Sequence, residues 1–132
     1  MTVRTHDPKD VNVIVDGKFL TGFAEGTFVN CEKEEDNWET YVGAQGEVVR
    51  SKNAHPIGTI TVTLEHTSPS NDALNRLANS NKVFSARMVD RGSRQITIGG
   101  SECWIQKPAD EERGPETSEV EWTIVVADYE KR

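Results

Sequence analysis

The stretch Gly58-Thr59-Ile60-Thr61-Val62-Thr63-Leu64-Glu65 alternates without a break: Ile60, Val62 and Leu64 on one parity, Thr59, Thr61 and Thr63 on the other. Neighbouring side chains of an extended chain point to opposite sides, so this is a strand with one apolar and one hydroxyl face. The same period governs Glu119 to Tyr129, where Val120, Trp122, Ile124 and Val126 oppose Glu119, Glu121 and Thr123. It returns in Lys82 to Asp90, with Phe84, Ala86 and Met88 set against Ser85 and Arg87. Three such segments in one chain predict a mainly β protein.

Turn chemistry connects further strands. Asp16-Gly17 between Val13-Ile14-Val15 and Lys18-Phe19-Leu20 predicts a tight hairpin, because both turn residues tolerate positive φ. Gly43-Ala44-Gln45-Gly46 between Thr40-Tyr41-Val42 and Glu47-Val48-Val49 predicts a second. Arg91-Gly92-Ser93 turns the 82–90 strand back into Gln95 to Ile98, and a separate short strand follows over Ser101 to Gln106. One helix is expected at about 69–79: Ser68 as N-cap, Pro69 at the first helical position, Asp72 in the first turn, and a stripe of Leu74, Leu77 and Ala78. About three turns long, it needs a sheet to pack on.

Composition narrows the function. The chain has 132 residues, 15 Lys plus Arg and 22 Asp plus Glu, for a net charge of -7. That balance disfavours gripping a phosphate backbone or an anionic membrane. The acids cluster. Residues 32–50 hold Glu32, Glu34, Glu35, Asp36, Glu39 and Glu47 against Lys33 and Arg50. Residues 102–121 hold seven acids against Lys107 and Arg113, and the Gly/Pro-punctuated part from Lys107 to Ser118 reads as an exposed loop. The N-terminus lacks the apolar run of a signal peptide, and no segment has the roughly 20 apolar residues that span a bilayer. Cys31 and Cys103 have no C-x-x-C spacing; a pairing is conceivable, and two free thiols of a protein made in a reducing cytoplasm is the simpler expectation.

No catalytic, cofactor or metal set emerges. The nucleophile-elbow, phosphate-loop, zincin and dinucleotide motifs are all missing from the sequence, and His6, His55 and His66 are scattered. The run Glu32 to Asp36 lacks calcium-loop spacing and reads as a solvated, self-repelling face. Trp38 and Tyr41 stand in the most charged part of the chain. Either the hairpin base folds them back onto the domain, or they anchor a subunit interface, where Trp and Tyr carry disproportionate energy. Trp104 and Trp122, on alternating strands, are expected in the core.

Taken in order, Asp7-Pro8-Lys9-Asp10-Val11, Val15-Asp16-Gly17, Thr21-Gly22-Phe23-Ala24, Val42-Gly43-Ala44-Gln45-Gly46-Glu47, Gly58 to Leu64, Thr67-Ser68-Pro69-Ser70-Asn71-Asp72-Ala73-Leu74 and Glu121-Trp122-Thr123-Ile124-Val125-Val126-Ala127-Asp128 form a recognisable series. It resembles the tail-tube subunits of contractile-tailed bacteriophages and phage-tail-like bacteriocins, from Asp7 to Tyr129. The resemblance implies an antiparallel β-sandwich or half-barrel, one domain over 1–132 with an N-terminal arm 1–10, a flanking helix, and a long extended hairpin arm at about 32–57. It further implies hexameric rings stacked into a tube, sheath and baseplate partners, and DNA passing through the lumen without specific binding. It places the protein in the virion tail, made in the bacterial host cytoplasm, with no membrane, no cofactor and no enzymatic activity. Trp38, Tyr41, Val42 and Val48 are the expected assembly contacts. The competing expectation is a monomeric β-sandwich that binds carbohydrate through coplanar exposed aromatics.

Overall fold

The computed structural model describes residues 3–132 of the chain. Its elements in order are β1 (Val11–Val15), β2 (Lys18–Phe19), β3 (Val29–Lys33), β4 (Trp38–Val42), β5 (Val48–Lys52), β6 (Gly58–Glu65), α1 (Ser70–Ser80), β7 (Phe84–Asp90), β8 (Ile96–Trp104), β9 (Glu119–Val126) and β10 (Glu130–Lys131). Eight strands form one antiparallel sheet in the order β2-β1-β7-β8-β9-β6-β3, with β10 also paired to β8. The sheet is not a closed barrel: it starts at β2 and ends at β3. The remaining pair, β4 and β5, forms a separate two-stranded ribbon.

The alternating segments meet as their pattern requires. β6 and β9 pair from Gly58 opposite Val126 to Glu65 opposite Glu119, so Ile60, Val62 and Leu64 share a face with Val120, Trp122, Ile124 and Val126. All seven are buried, together with Val13, Val15, Phe84, Ala86 and Cys103 from the other half of the sheet and Leu74 and Ala78 from α1. Leu77 packs against this core while only partly buried. Trp122 is in the core, whereas Trp104 is half-buried and lies outside it, because Trp104 pairs with Val125 on the opposite parity of β9.

A polar lock sets α1 on the sheet. The Trp122 indole N–H donates to Asn71 Oδ1 at 2.9 Å in the buried interior. The Asn71 amide in turn donates to the carbonyls of Glu65 (2.9 Å) and His66 (3.3 Å). One side chain thus satisfies a core donor and the two carbonyls where β6 runs out, which removes the penalty of leaving them dry. The helix begins one residue later than expected. Pro69 occupies the cap position in helical geometry, and the Ser68 hydroxyl accepts the Ser70 N–H at 3.2 Å while donating to Thr21 O at 2.6 Å. Asn81 ends the helix in the left-handed conformation.

The segments 95–98 and 101–106 are one strand, not two. Gly99 lies within β8 at φ 146, a conformation open to glycine, and a side chain there would strike the Ala86 carbonyl on β7. Backbone approach without Cβ atoms lets the strand continue where the glycine pair predicts a break. Beside it, Asp128 interrupts the run from β9 to β10, and its carboxylate fills the space over Gly100. That carboxylate accepts Ser101 N–H (3.0 Å), Ser101 O–H (2.9 Å) and Glu102 N–H (3.0 Å). Hydrogen bonds from the Ser101 backbone, followed by those of Glu102 and the Ser101 hydroxyl, hold its pKa below the ordinary aspartate value. A depressed folded pKa contributes stability above the unfolded value, and that contribution vanishes as pH falls through the folded value. Asp128→Asn is therefore expected to cost about 1 kcal/mol at pH 7, with the gap to wild type closing below about pH 4, as followed by urea unfolding across pH.

Residues 1 and 2 of the expected N-terminal arm lie outside the described residues. From Thr5 onward the segment is tied down: Ser93 O–H donates to Thr5 O at 2.9 Å, Asp7 caps a 3-10 turn over Pro8–Asp10, and Arg91 N–H donates to Asp10 O at 3.1 Å.

Candidate assembly surface

Every residue of β4 and β5 is exposed. The connecting turn is closed by Gly43 N–H to Glu47 O (2.8 Å) and Gly46 N–H to Gly43 O (3.0 Å), with Gly46 at φ 88. The arm springs from the main sheet where Glu34 N–H donates to Ile57 O at 3.0 Å, so Glu32 and Lys33, expected at its base, belong to β3. At this neck the His55 ring lies between two carboxylates, Nδ1 at 3.0 Å from Glu35 and Nε2 at 3.4 Å from Glu34. Asn53 braces the same point, its backbone N–H donating to Asn37 O (2.8 Å) and its side chain to Glu35 (3.3 Å).

The ribbon has two faces, and its register decides who shares which. Trp38 opposes Lys52, Thr40 opposes Arg50 and Val42 opposes Val48, all on one face. The Arg50 guanidinium sits 3.9 Å over the centre of the Trp38 ring, a cation–π contact. Tyr41 is on the reverse face opposite Val49, beside Glu39 and Ser51. Of the expected contact residues, Trp38, Val42 and Val48 come together and Tyr41 does not join them. Val49, 53% exposed, is an apolar partner of Tyr41 that the sequence reading missed; its pairing follows only from the turn register. Exposure reaches 68% for both Tyr41 and Val48, and an isolated two-stranded ribbon is marginal in water. A hairpin of this length with apolar groups on both sides is stabilised when something covers it.

The main sheet offers two more features. β3 pairs with β6 on one side only, leaving its other edge open. The outward parity of β3, β6 and β9 carries Asn30, Glu32, Thr59, Thr61, Thr63, Glu121 and Thr123, a hydroxyl and carboxylate wall without Lys or Arg. Leaving β8 at Trp104, the chain from residue 106 runs beside β9 and turns back at the Glu119 end. Between that stretch and β9 lies an open groove of about 1110 Å³ bordered by Lys107, Pro108, Asp110, Glu112, Glu119 and Glu121.

Catalytic equipment does not assemble. Among the described residues no three His, Cys, Asp or Glu side chains converge as metal ligands, and no helix is long and apolar enough to cross a membrane. Cys31 and Cys103 are free thiols three strands apart, about 14 Å by sheet spacing, beyond the reach of a disulfide. Burial pushes both thiols up to about 11. Thiolate chemistry at neutral pH is correspondingly suppressed.

Known proteins repeat this architecture. Residues 11–131 match the family model of the bacteriophage PhiTE tail tube protein. Structural protein ORF10 of Pseudomonas phage KPP10 is 36% identical in a 76-position alignment that covers 53% of this chain and 44% of that protein. The chain thus matches less than half the length of that relative. The sheath/tube terminator of the extracellular contractile injection system PVC superposes over 100% of this chain and 99% of its own, at 11% identity and a TM-score of 0.69. A chain of the PVC sheath-tube complex aligns with 92% of this chain and 87% of its own, at 15% identity and a TM-score of 0.59. At such identities the two structures speak for the fold alone. The family match spans nearly all of the described sheet, and the chain belongs to the bacteriophage tail tube family as a non-enzymatic structural protein of the phage tail.

Proposed function

We propose that copies of this chain close into rings of six by joining their sheets, and that the rings stack into the inner tube of a contractile tail. The observation that carries this reading is the exposed β4–β5 arm, with Trp38, Val42 and Val48 on one face and Tyr41 and Val49 on the other. Burial between subunits gives those side chains the cover that the single chain withholds. The open edge of β3 fits the same reading, since sheet-to-sheet pairing in a closed ring removes it. A contractile sheath surrounds the tube and a baseplate terminates it, in keeping with the sheath-tube setting of the structural neighbours.

The wall of Asn30, Glu32, Thr59, Thr61, Thr63, Glu121 and Thr123 is suited to line the bore. Carboxylates there repel phosphates, so DNA passes during ejection without adhering, the inverse of a binding groove. A sugar-binding monomer is less well supported, because Trp38 and Tyr41 lie on opposite faces and make no shared platform. Negative-stain microscopy of the purified protein is expected to show rings or tubes of uniform diameter. A monomer whose mass by light scattering stays constant up to high concentration would refute the tube.

A further inference from the structure

The arm joins the main sheet through a neck without strand pairing. The β3–β6 ladder stops at Lys33 opposite Gly58, and the β4–β5 ladder begins at Trp38 opposite Lys52. Between them residues 34–37 run out and residues 53–57 return. A backbone hydrogen bond closes each end of this stretch, Glu34 N–H to Ile57 O at 3.0 Å and Asn53 N–H to Asn37 O at 2.8 Å. Side chains span the middle. Asn53 Nδ2 donates to Glu35 at 3.3 Å, and the half-buried His55 stands between the Glu34 and Glu35 carboxylates. The His55 backbone N–H donates to Asn53 Oδ1 at 3.0 Å, which fixes the stem of that ring.

The His55 ring is not satisfied there in its neutral form. Its Nε2 is shut off from solvent and has no hydrogen-bond partner, with Glu34 Oε2 3.4 Å away, while Nδ1 lies 3.0 Å from Glu35 Oε2. A carboxylate only accepts, and a neutral imidazole has one N–H and one lone pair. One of the two carboxylates must then face a bare nitrogen, acceptor against acceptor, a mismatch that is costly where water is excluded. The imidazolium has two N–H groups and answers both carboxylates with charge-assisted bonds. Other charges at the neck are Asp36, Lys33 and Lys52; Lys33 donates to Asn37 Oδ1, and among the described residues neither lysine is in a salt bridge. From beyond β9, Tyr129 N–H donates to Pro56 O at 3.2 Å. Burial pushes the Tyr129 phenol above its ordinary value, so it stays neutral, and Glu32 and Lys131 are the charges felt at Tyr129 and Cys31. Of the side-chain types gathered here, histidine is the one that ordinarily changes charge between pH 5 and 8.

We propose that His55 is a proton-operated latch on the arm: the imidazolium ties the returning chain to Glu34 and Glu35 and fixes the neck, and loss of its proton releases it. Mildly acidic solution then holds the arm at a set angle to the main sheet, and mildly alkaline solution lets it swing. The device belongs to the single chain and stands whether or not the arm is an assembly contact.

Hydrogen exchange of the two neck amides tests it, on wild-type protein at a concentration where light scattering gives the same mass at pH 5.5 and pH 8. Corrected for the intrinsic rate, protection of the Glu34 and Asn53 N–H groups is expected to be at least about fivefold higher at pH 5.5. Ala24 N–H, bonded to Thr63 O within the main domain, serves as the reference and is expected to hold constant. His55→Gln is expected to abolish the difference between the two pH values. Glu34→Gln sets an amide donor before Nε2, which satisfies the neutral ring; protection is expected to stay high at pH 8, within about twofold of the value at pH 5.5. Equal wild-type protection at both pH values overturns the latch, and so does a pH dependence that survives His55→Gln or is undiminished by Glu34→Gln.

Discussion

Replacing Trp38 by alanine is expected to reduce tube yield by about thirtyfold while shifting Tm by no more than about 2 °C. The two halves of this result have separate causes. Trp38 is 42% exposed and lies outside the buried cluster, so truncation leaves no cavity in the core. Substitutions at such surface positions stay within about 0.5 kcal/mol of neutral. At an interface, by contrast, a buried Trp is worth about 2 kcal/mol or more, and every subunit repeats the loss. Arg50 loses its stacking partner as well, and with it the orientation of the cation. Thermal melting and quantitative microscopy on one preparation separate the effects. A drop in Tm of more than about 5 °C with undiminished tubes would mean that Trp38 serves the domain and not the assembly.

Asn71→Leu is expected to have the opposite signature, destabilising the free subunit by about 2–4 kcal/mol. Leucine fills similar space but accepts nothing from Trp122 Nε1 and donates nothing to the carbonyls of Glu65 and His66. Buried donors and acceptors stripped of partners cost the full desolvation of each group. Urea unfolding measures the loss. Trp122→Phe, which removes the same indole N–H, supplies the comparison. Because both changes delete one hydrogen bond, the double variant is expected to be less destabilised than the sum, by about 1 kcal/mol. Strict additivity, or a loss below about 0.5 kcal/mol for Asn71→Leu, would show that the lock contributes little.

These two residues also mark what could be read in advance. The apolar parity of β6 and β9 was legible because a half-buried strand repeats every two residues, and Trp122 followed with it. Asn71 was invisible. Nothing local distinguishes it from any polar residue in a helix's first turn, and its role depends on a tryptophan 51 residues away. The glycine pair was legible only as a break, since Gly99 and Gly100 are turn residues by habit. Their service within β8 depends on Ala86 and Asp128 arriving from other elements. β3 went unread because Val29 to Lys33 is short and merges with a charged run, so its pairing with β6 is its main credential.

By itself, then, the sequence determined the mainly β class, the helix, the hairpin at Gly43–Gly46 and the family. Those depend on local period, turn chemistry and ordered motifs, which are properties of neighbours in the chain. Tertiary structure alone decided that Val49 stands opposite Tyr41 and Val48 opposite Val42, that Cys31 and Cys103 stand apart, and that the acidic 106–118 loop folds back beside β9. Each of these rests on strand register and strand order. A one-residue slip exchanges the faces of a ribbon, and a change of order moves whole surfaces, while the local pattern of the chain stays the same.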